Sequence, residues 1–306
     1  MRYTFLTKDL DFVKHRNKFF LFSLFLLIAG TIVLVTMGLN KSIDFVSGTR
    51  VDISSNETLE IKEVEKEIKA IGFGDYDRIT VSGNKNEIVT VQYVGTLSKE
   101  DVAKIKTHFN DLYKHEPNVS IVSPQVGKEL VRNAMIAIAL ASIGIVIYVA
   151  IRFEFYFAIS AIISLLHDAF LIVAVFSILR LEVDVTFIAA VLTIIGYSIN
   201  DTIVTFDRIR ENVRKEKRVK SFEDLAHIVN MSIIQTLSRS INTVLTVVIA
   251  AAALYFIGAP AIQNFSFALL VGLIAGTYSS LFIAAQLWLV LKNKQLKKIG
   301  YKQLKI

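Results

Sequence analysis

The 306 residues include no cysteine, only three prolines and a single tryptophan. Without cysteine there is no disulfide framework and no thiolate metal site. With so few prolines, long helices should run unbroken. Charge is scarce as well. Charged residues make up 20% of the chain against 53% hydrophobic, and the mean hydropathy of +0.53 is too high for an ordinary soluble domain. The usual marks of hydrolases and nucleotide enzymes are absent too, with no H-E-x-x-H, nucleophile elbow or phosphate loop.

What the sequence does contain is long apolar runs. A bilayer core about 30 Å thick needs roughly 20 apolar residues to cross it. Six stretches qualify: 19–39, 134–151, 155–179, 183–206, 232–257 and 265–291. The first follows a basic N-terminus, as a signal sequence would. It is longer than a usual signal core, and Met37-Gly38-Leu39-Asn40 is a poor cleavage site, so it is expected to remain as a span.

The net charge of +7 is not the footprint of a nucleic-acid binder, because the basic residues are sorted by face. Arg2, Lys8, Lys14, Arg16 and Lys18 precede span 1. Arg208, Arg210, Arg214, Lys215, Lys217, Arg218 and Lys220 lie between spans 4 and 5, and Lys292, Lys294, Lys297, Lys298, Lys302 and Lys305 follow span 6. With six crossings these clusters share one side, which by the positive-inside rule is the cytoplasm, beside anionic lipid headgroups. Both termini are therefore expected inside. The expected organisation is a cytoplasmic N-terminus at 1–18, span 1 at 19–39, an outer domain at 40–131, a five-helix bundle at 132–291 with an inner loop at 208–231, and a basic tail at 292–306.

Apolar spacing within the outer domain alternates between strand and helix periods. Strands are expected at 49–54, 78–82, 87–94 and 119–122, with helices at 59–71 and 99–114. The Gly83-Asn84-Lys85-Asn86 turn joins the middle strands, and Ser98 with Asp101 forms a capping box. The order β-α-β-β-α-β is the ferredoxin-like arrangement. Gly48 and Gly127 flank this domain as candidate hinges. In the inner loop, Phe222, Leu225, Ala226 and Val229 have amphipathic spacing, consistent with an interfacial helix or a plain charged loop.

A charge near the bilayer centre costs at least about 2.5–3.5 kcal/mol, so ionisable residues in the spans are informative. They are Asp168, beside His167, in span 3, Asp201 in span 4 and Arg239 in span 5. On a helix, Thr186, Ala190, Thr193, Tyr197, Asn200 and Asp201 share a stripe, as do Thr236, Arg239, Ser240 and Thr243. Such stripes must face protein or water. Asp201 lies seven residues before Arg208, and Arg239 seven after Ser232. Antiparallel neighbours would bring both to one level, roughly 10 Å from the cytoplasmic end at 1.5 Å per residue. Such a pair is either a proton-operated switch or a static ion pair that orders the bundle. His167 and Asp168 form a secondary proton relay or a packing contact, and Asp207 an interfacial ion pair with the loop. Gly272 and Gly276, followed by Ser279 and Ser280, mark a close helix–helix packing seam, while Trp288 and Tyr148 are candidate interfacial anchors.

Three segments carry a family resemblance. Ser42-Ile43-Asp44-Phe45-Val46-Ser47-Gly48-Thr49 resembles a G-I-D-F-T-G-G-T signature, with serine at two of the glycines. Tyr197-Ser198-Ile199-Asn200-Asp201-Thr202-Ile203-Val204, continuing through Phe206-Asp207-Arg208-Ile209-Arg210-Glu211-Asn212, is similar to S-[IL]-N-D-[ST]-I-V…D-R-I-R-E-N. Gln235-Thr236-Leu237-Ser238-Arg239-Ser240 resembles Q-T-L-x-R-[ST]. The sequence is thereby identified as resembling the SecF family, the smaller subunit of the SecDF protein-export motor, within the superfamily of proton-driven RND exporters.

The resemblance implies a non-enzymatic subunit of the Sec translocase in the cytoplasmic membrane of a prokaryote. It would use the proton-motive force with SecD to promote export of unfolded preproteins through SecYEG, with YajC as a further partner. Asp201, Arg239 and Asn200 would form the proton relay, and Asp44, Phe45, Gly48, Thr49, Asp207 and Arg208 belong to the family signature. Protons are the expected coupling ion, with no cofactor and no metal. Because the chain begins with its own Met1 and holds only the SecF half, a separate SecD is expected. The competing readings are an RND-type transporter of small molecules or lipids, which would carry larger outer domains, and a passive structural subunit. An intramembrane aspartyl protease using Asp168 and Asp201 would show G-x-G-D, which Gly196-Tyr197-Ser198-Ile199-Asn200-Asp201 does not.

Overall fold

A computed structural model of the chain describes residues 10–82, 86–216 and 219–299. Arg2, Lys8, Lys217, Arg218, Lys302, Lys305 and the Gly83-Asn84-Lys85 part of the expected turn lie outside the described residues. In chain order the elements are α1 (Arg16–Met37), β1 (Asn40–Lys41), α2 (Ile43–Val46), β2 (Gly48–Ser54), α3 (Ile61–Ala70), β3 (Arg78–Ser82), β4 (Ile88–Val94), α4 (Lys99–Tyr113) and β5 (Asn118–Val122). Then follow α5 (Pro124–Arg152), α6 (Phe155–Ile178), β6 (Glu182–Val183), α7 (Val185–Lys215), α8 (Phe222–Ile257) and α9 (Gln263–Ser279). A π-turn at Ser280–Ala284 carries α9 into α10 (Ala285–Ile299).

Among the described residues, six helical segments are long and apolar enough to cross a membrane, with α9, the π-turn and α10 forming the sixth. The chain is a multi-pass membrane protein. The 36 residues of α8 span about 54 Å at 1.5 Å per residue, well beyond a hydrocarbon core of about 30 Å. This length corrects the expected inner loop. The segment between spans 4 and 5 is neither an interfacial helix nor a plain loop, because α7 runs on to Lys215 and α8 begins at Phe222. Its amphipathic face turns inward: Leu225, Ile228 and Val229 are buried against Ile209 and Val213. The serine and aspartate of a capping box, Ser221 and Asp224, start α8 there.

Between α1 and α5 lies a four-stranded sheet of order β3-β4-β2-β5, antiparallel throughout. Period-two alternation sorts its faces. Val51, Ile53, Val89, Val91 and Tyr93 point under the helices, where Val64 and Ile68 of α3 meet Ile105 and Phe109 of α4. Arg50, Asp52, Thr90 and Gln92 occupy the other face, which looks onto the bundle. Ser98 caps α4 by accepting from the Asp101 amide at 3.1 Å while donating to its carboxylate at 2.7 Å. A short parallel ladder of β1 with β6 ties the segment after α1 to the α6–α7 connection. Glu182 in that connection receives Arg50 Nη1 at 3.2 Å and the amide of Gln92. This carboxylate is one of the points that fasten the sheet domain to the bundle.

The bundle has two apolar cores. At the end carrying the basic residues, Phe157, Phe206, Leu225 and Trp288 interlock, with the indole stacked on Phe157 at 4.5 Å between ring centroids. Trp288 is fully buried, so it is a core residue and not the interfacial anchor its composition suggested; Tyr148 is exposed. Near the sheet domain, Ile172, Phe176, Phe187 and Ile194 form the second core. The α7–α9 seam follows the expected small residues. A Cβ on Gly272 would lie 2.1 Å from Ile194 Cδ1, and one on Gly276 would lie 3.1 Å from Ser198 Cβ. The two glycines proposed as hinges are also close-packing points. A Cβ on Gly48 would sit 2.3 Å from the Tyr93 carbonyl oxygen, and one on Gly127 would sit 2.7 Å from Ser47 Oγ.

Candidate functional site

Polar side chains of α7 and α8 set the geometry around Asp201. On α7, Ser198, Thr202 and Thr205 are spaced by four and three residues and are buried on its inner face. Asn200 and Tyr197 are exposed on the opposite side, with half-buried Asp201 at the boundary. The neighbouring α8 presents Arg239 and Thr243 outward, with Ser240 buried against α7. Ser240 Oγ donates to Asp201 Oδ1 at 2.5 Å, while Asp201 Oδ2 is buried without a hydrogen-bond partner among the described residues.

Asp201, Asn200, Arg239 and Thr243 line one cavity of about 50 Å3, with Ser198 and Gly276 on its inner wall. That volume holds a few water molecules. The expectation that Asp201 and Arg239 lie at one depth agrees with this shared cavity. The expected ion pair is not formed: among the described residues no salt bridge within 4.0 Å joins them. Serine holds the carboxylate, and the guanidinium extends to the outer face. A static ion pair that merely orders the bundle is therefore not what this arrangement provides. The cavity opens between α7 and α8 onto a face carrying Thr193, Tyr197, Asn200, Gln235, Arg239 and Asn242, all exposed in the isolated chain. Such a face in a membrane bundle meets protein or water rather than lipid.

Asp168 is placed differently, 1% exposed in the middle of the bundle. Its Oδ2 accepts from Ser198 Oγ at 2.6 Å and Ser279 Oγ at 2.7 Å, and its Oδ1 lies 3.2 Å from His167 Nδ1. The residues next to these serines continue the network. Ser280 Oγ and Thr202 Oγ1 are 2.8 Å apart, and Ser280 Oγ also donates to the Ser198 carbonyl at 3.2 Å. The sequence pointed to Ser279 and Ser280 only as small packing residues. The available signal was their position one and two helical turns beyond Gly272 and Gly276 on the same seam.

The signature residues before the sheet build a joint. Ser42 caps α2 by accepting from the Asp44 amide, and Asp44 Oδ2 accepts from the Val185 amide at 3.3 Å, placing a carboxylate at the positive end of α7. Phe45 packs on the second core. Thr49 is buried, donating to the Gly95 carbonyl and accepting from the Leu97 amide at 2.9 Å. Ser47, where the signature has glycine, takes a positive φ of 66°. Asp207 pairs with Arg210 at 3.0 Å and with Arg152 of α5 at 3.3 Å, whereas Arg208 pairs with Glu211.

Comparison with known proteins accounts for these features together. Residues 101–294 match the model of the family described as protein export membrane protein SecD/SecF, C-terminal, and residues 32–58 match the SecD/SecF GG motif. The Bacillus subtilis protein translocase subunit SecDF is 58% identical over 94% of this chain, which spans 39% of that relative's length. The protein translocase subunit SecF of Alicyclobacillus acidocaldarius is 44% identical, with 94% of each chain covered. The crystal structure of SecDF from Thermus thermophilus superposes with a TM-score of 0.84 at 32% identity, over 94% of this chain and 39% of that one. With the motif, the full-length SecF relatives and the shared architecture in agreement, the chain belongs to the SecD/SecF family of protein-export membrane proteins, as a SecF-type translocase subunit.

Proposed function

We propose that this chain is the SecF half of a proton-driven auxiliary complex of the Sec translocase, with Asp201 as its proton-carrying group. The observation that carries the reading is a carboxylate and a guanidinium lining one small cavity in the bundle, without being locked to each other. The free Oδ2 of Asp201 takes up a proton from cavity water, and Asn200 orients that water. In the ionised state the carboxylate offsets the Arg239 charge across the cavity. Protonation removes that offset and favours a different packing of α7 against α8. One charge crossing 100 mV supplies about 2.3 kcal/mol, enough to bias two such packings.

The basic ends of α7 and α10 then face the cytoplasm of a prokaryotic cell, with both termini, and the sheet domain lies outside. Its β-α-β-β-α-β order and antiparallel strand order support a ferredoxin-like module, joined to the bundle through Glu182 and the Ser42–Thr49 segment. The exposed polar face of α7 and α8 fits SecD, which would close the cavity, and SecYEG with its emerging preprotein would be the complex's working partner. YajC is a further candidate in that assembly, and no cofactor besides the proton is needed. The test replaces Asp201 by Asn and Arg239 by Met separately, confirms insertion, and measures secretory-protein export with and without a proton gradient. Loss of the gradient-dependent part in both variants supports the reading; wild-type stimulation in both refutes it.

A further inference from the structure

The Asp201 cavity does not end at Asp201. Ser198 lines its inner wall and also donates its hydroxyl to Asp168 Oδ2 at 2.6 Å. One hydroxyl therefore separates the cavity from a second carboxylate that is 1% exposed. We propose that Asp168 with His167 is a second proton-carrying site, reached from the Asp201 cavity through Ser198 and reporting its charge to the π-turn through Ser279. The proposal rests on the proton-coupling reading above and adds a station to it.

Three observations support it. Among the described residues, the one basic group within salt-bridge distance of Asp168 is the ring of His167, at 3.2 Å. An unoffset carboxylate is costly in hydrocarbon, and the imidazole beside it is the basic group in reach. The far nitrogen of that ring, His167 Nε2, is buried without a hydrogen-bond partner among the described residues, and His167 itself is 5% exposed. Most buried polar atoms in folded proteins have a partner, so an unpartnered ring nitrogen calls for an explanation. Finally, the second donor to Asp168, Ser279 at 2.7 Å, is the residue immediately before the π-turn at Ser280–Ala284. Single π-turns interrupt the regular hydrogen-bond ladder and frequently sit at functional sites.

The transfer balances without further reactants. Cavity water gives a proton to Ser198 Oγ as the serine hydroxyl gives its own to Asp168 Oδ2, so one O–H bond forms for each that breaks. The water recovers its proton from Asp201, leaving Asp201 ionised and Asp168 neutral. A neutral Asp168 no longer needs both serine donors, which frees Ser279 to turn toward the Gly276 carbonyl, already 3.2 Å away. The groups facing this site are few. His167 is on α6 itself, Tyr278 of α9 lies 6.2 Å from its ring, and α7 contributes Asp201 across the cavity with Arg239 of α8 beyond. From α1 there is no ionisable group between Lys18 and Lys41.

The experiment uses the full chain in its membrane assembly. Asp168→Asn, Asp168→Glu, His167→Asn and Ser198→Ala are compared with Asp201→Asn for gradient-stimulated export across a range of outside pH, with thermal stability measured in parallel. Asp168→Asn keeps the serine hydrogen bonds, so a structural role predicts wild-type stimulation. The proposal predicts loss of stimulation in Asp168→Asn, its return in Asp168→Glu, and a displaced pH profile in His167→Asn. Should Asp168→Asn fail to fold, Ser198→Ala decides, since loss of stimulation is expected there too. Wild-type stimulation with an unmoved pH profile in folded Asp168→Asn, or in Ser198→Ala, overturns the second site while leaving the Asp201 reading intact. Wild-type stimulation in Asp201→Asn removes the reading on which it rests.

Discussion

Replacing Gly272 by Ala tests whether the α7–α9 seam holds the Asp201 cavity together. A Cβ at this position would meet three atoms of Ile194: Cδ1 at 2.1 Å, Cγ1 at 2.6 Å and Cγ2 at 2.8 Å. Ordinary carbon contacts lie near 3.5–4.0 Å, so something must move by about 1 Å or more. Ile194 is 1% exposed and β-branched, and its Cγ1 and Cγ2 are fixed together by one torsion, so rotating the side chain does not clear both. The helices must separate, and overpacking of this kind costs about 1–3 kcal/mol. Because Gly272 and Gly276 also line the Asp201 cavity, separation should disturb export along with stability. Ile194→Ala removes all three clashing atoms; alone it leaves a void costing about 2–5 kcal/mol, but combined with Gly272→Ala the two changes compensate. A double-mutant cycle on thermal unfolding of the solubilised protein should give a favourable coupling of about 0.5–3 kcal/mol. Wild-type stability for Gly272→Ala, or strictly additive effects in the double variant, would refute the packing argument.

Three further outcomes follow from particular residues. Ser47 holds φ at 66°, where a side chain is strained, so Ser47→Gly should raise thermal stability by up to about 1 kcal/mol; a loss would show that its contact with Gly127 matters more. Trp288→Ala should destabilise by about 3–5 kcal/mol, as expected for a fully buried ring stacked on Phe157, whereas an interfacial anchor would lose far less. Burial pushes the Glu182 carboxyl above its usual 4.5, against the opposing pull of Arg50. Since the folded protein binds this proton more tightly than the unfolded chain, Glu182's contribution to stability is full below about 4.5 and declines as pH rises through the raised value. Glu182→Gln should flatten that part of the pH–stability curve for the sheet domain, followed by hydrogen exchange in β2; an unchanged curve would contradict the assignment.

Much of this architecture was legible in the residues because bilayer physics is severe. Runs such as 155–179 leave no alternative to a span, and the strands around Val51 and Val91 alternate cleanly because one face must be buried under helices. Asp201 and Arg239 could be assigned one depth by counting residues from the basic segments at 1.5 Å each. Whether they touch could not be read from that count. Contact depends on helix rotation, and here Ser240, the residue after Arg239, turns toward Asp201 while the arginine turns away. The continuation of α7 and α8 past the membrane was hidden because Leu225 and Val229 give the same spacing whether they face lipid headgroups or a protein core. Trp288 was misread for a related reason, since tryptophan suits both an interface and a core wide enough to stack it on Phe157. The hydroxyls around Asp168 were the least visible. Serine serves close packing and hydrogen bonding equally, and only the fold brings Ser198 and Ser279 to one carboxylate.

The central claim is that Asp201 carries protons through this bundle while export proceeds. The direct measurement is proton flux into sealed vesicles that hold the complete translocase, recorded with a pH-sensitive dye during export of a secretory protein. The account predicts export-linked proton entry with the native chain and none above background with Asp201→Asn. Undiminished entry in that variant would contradict it.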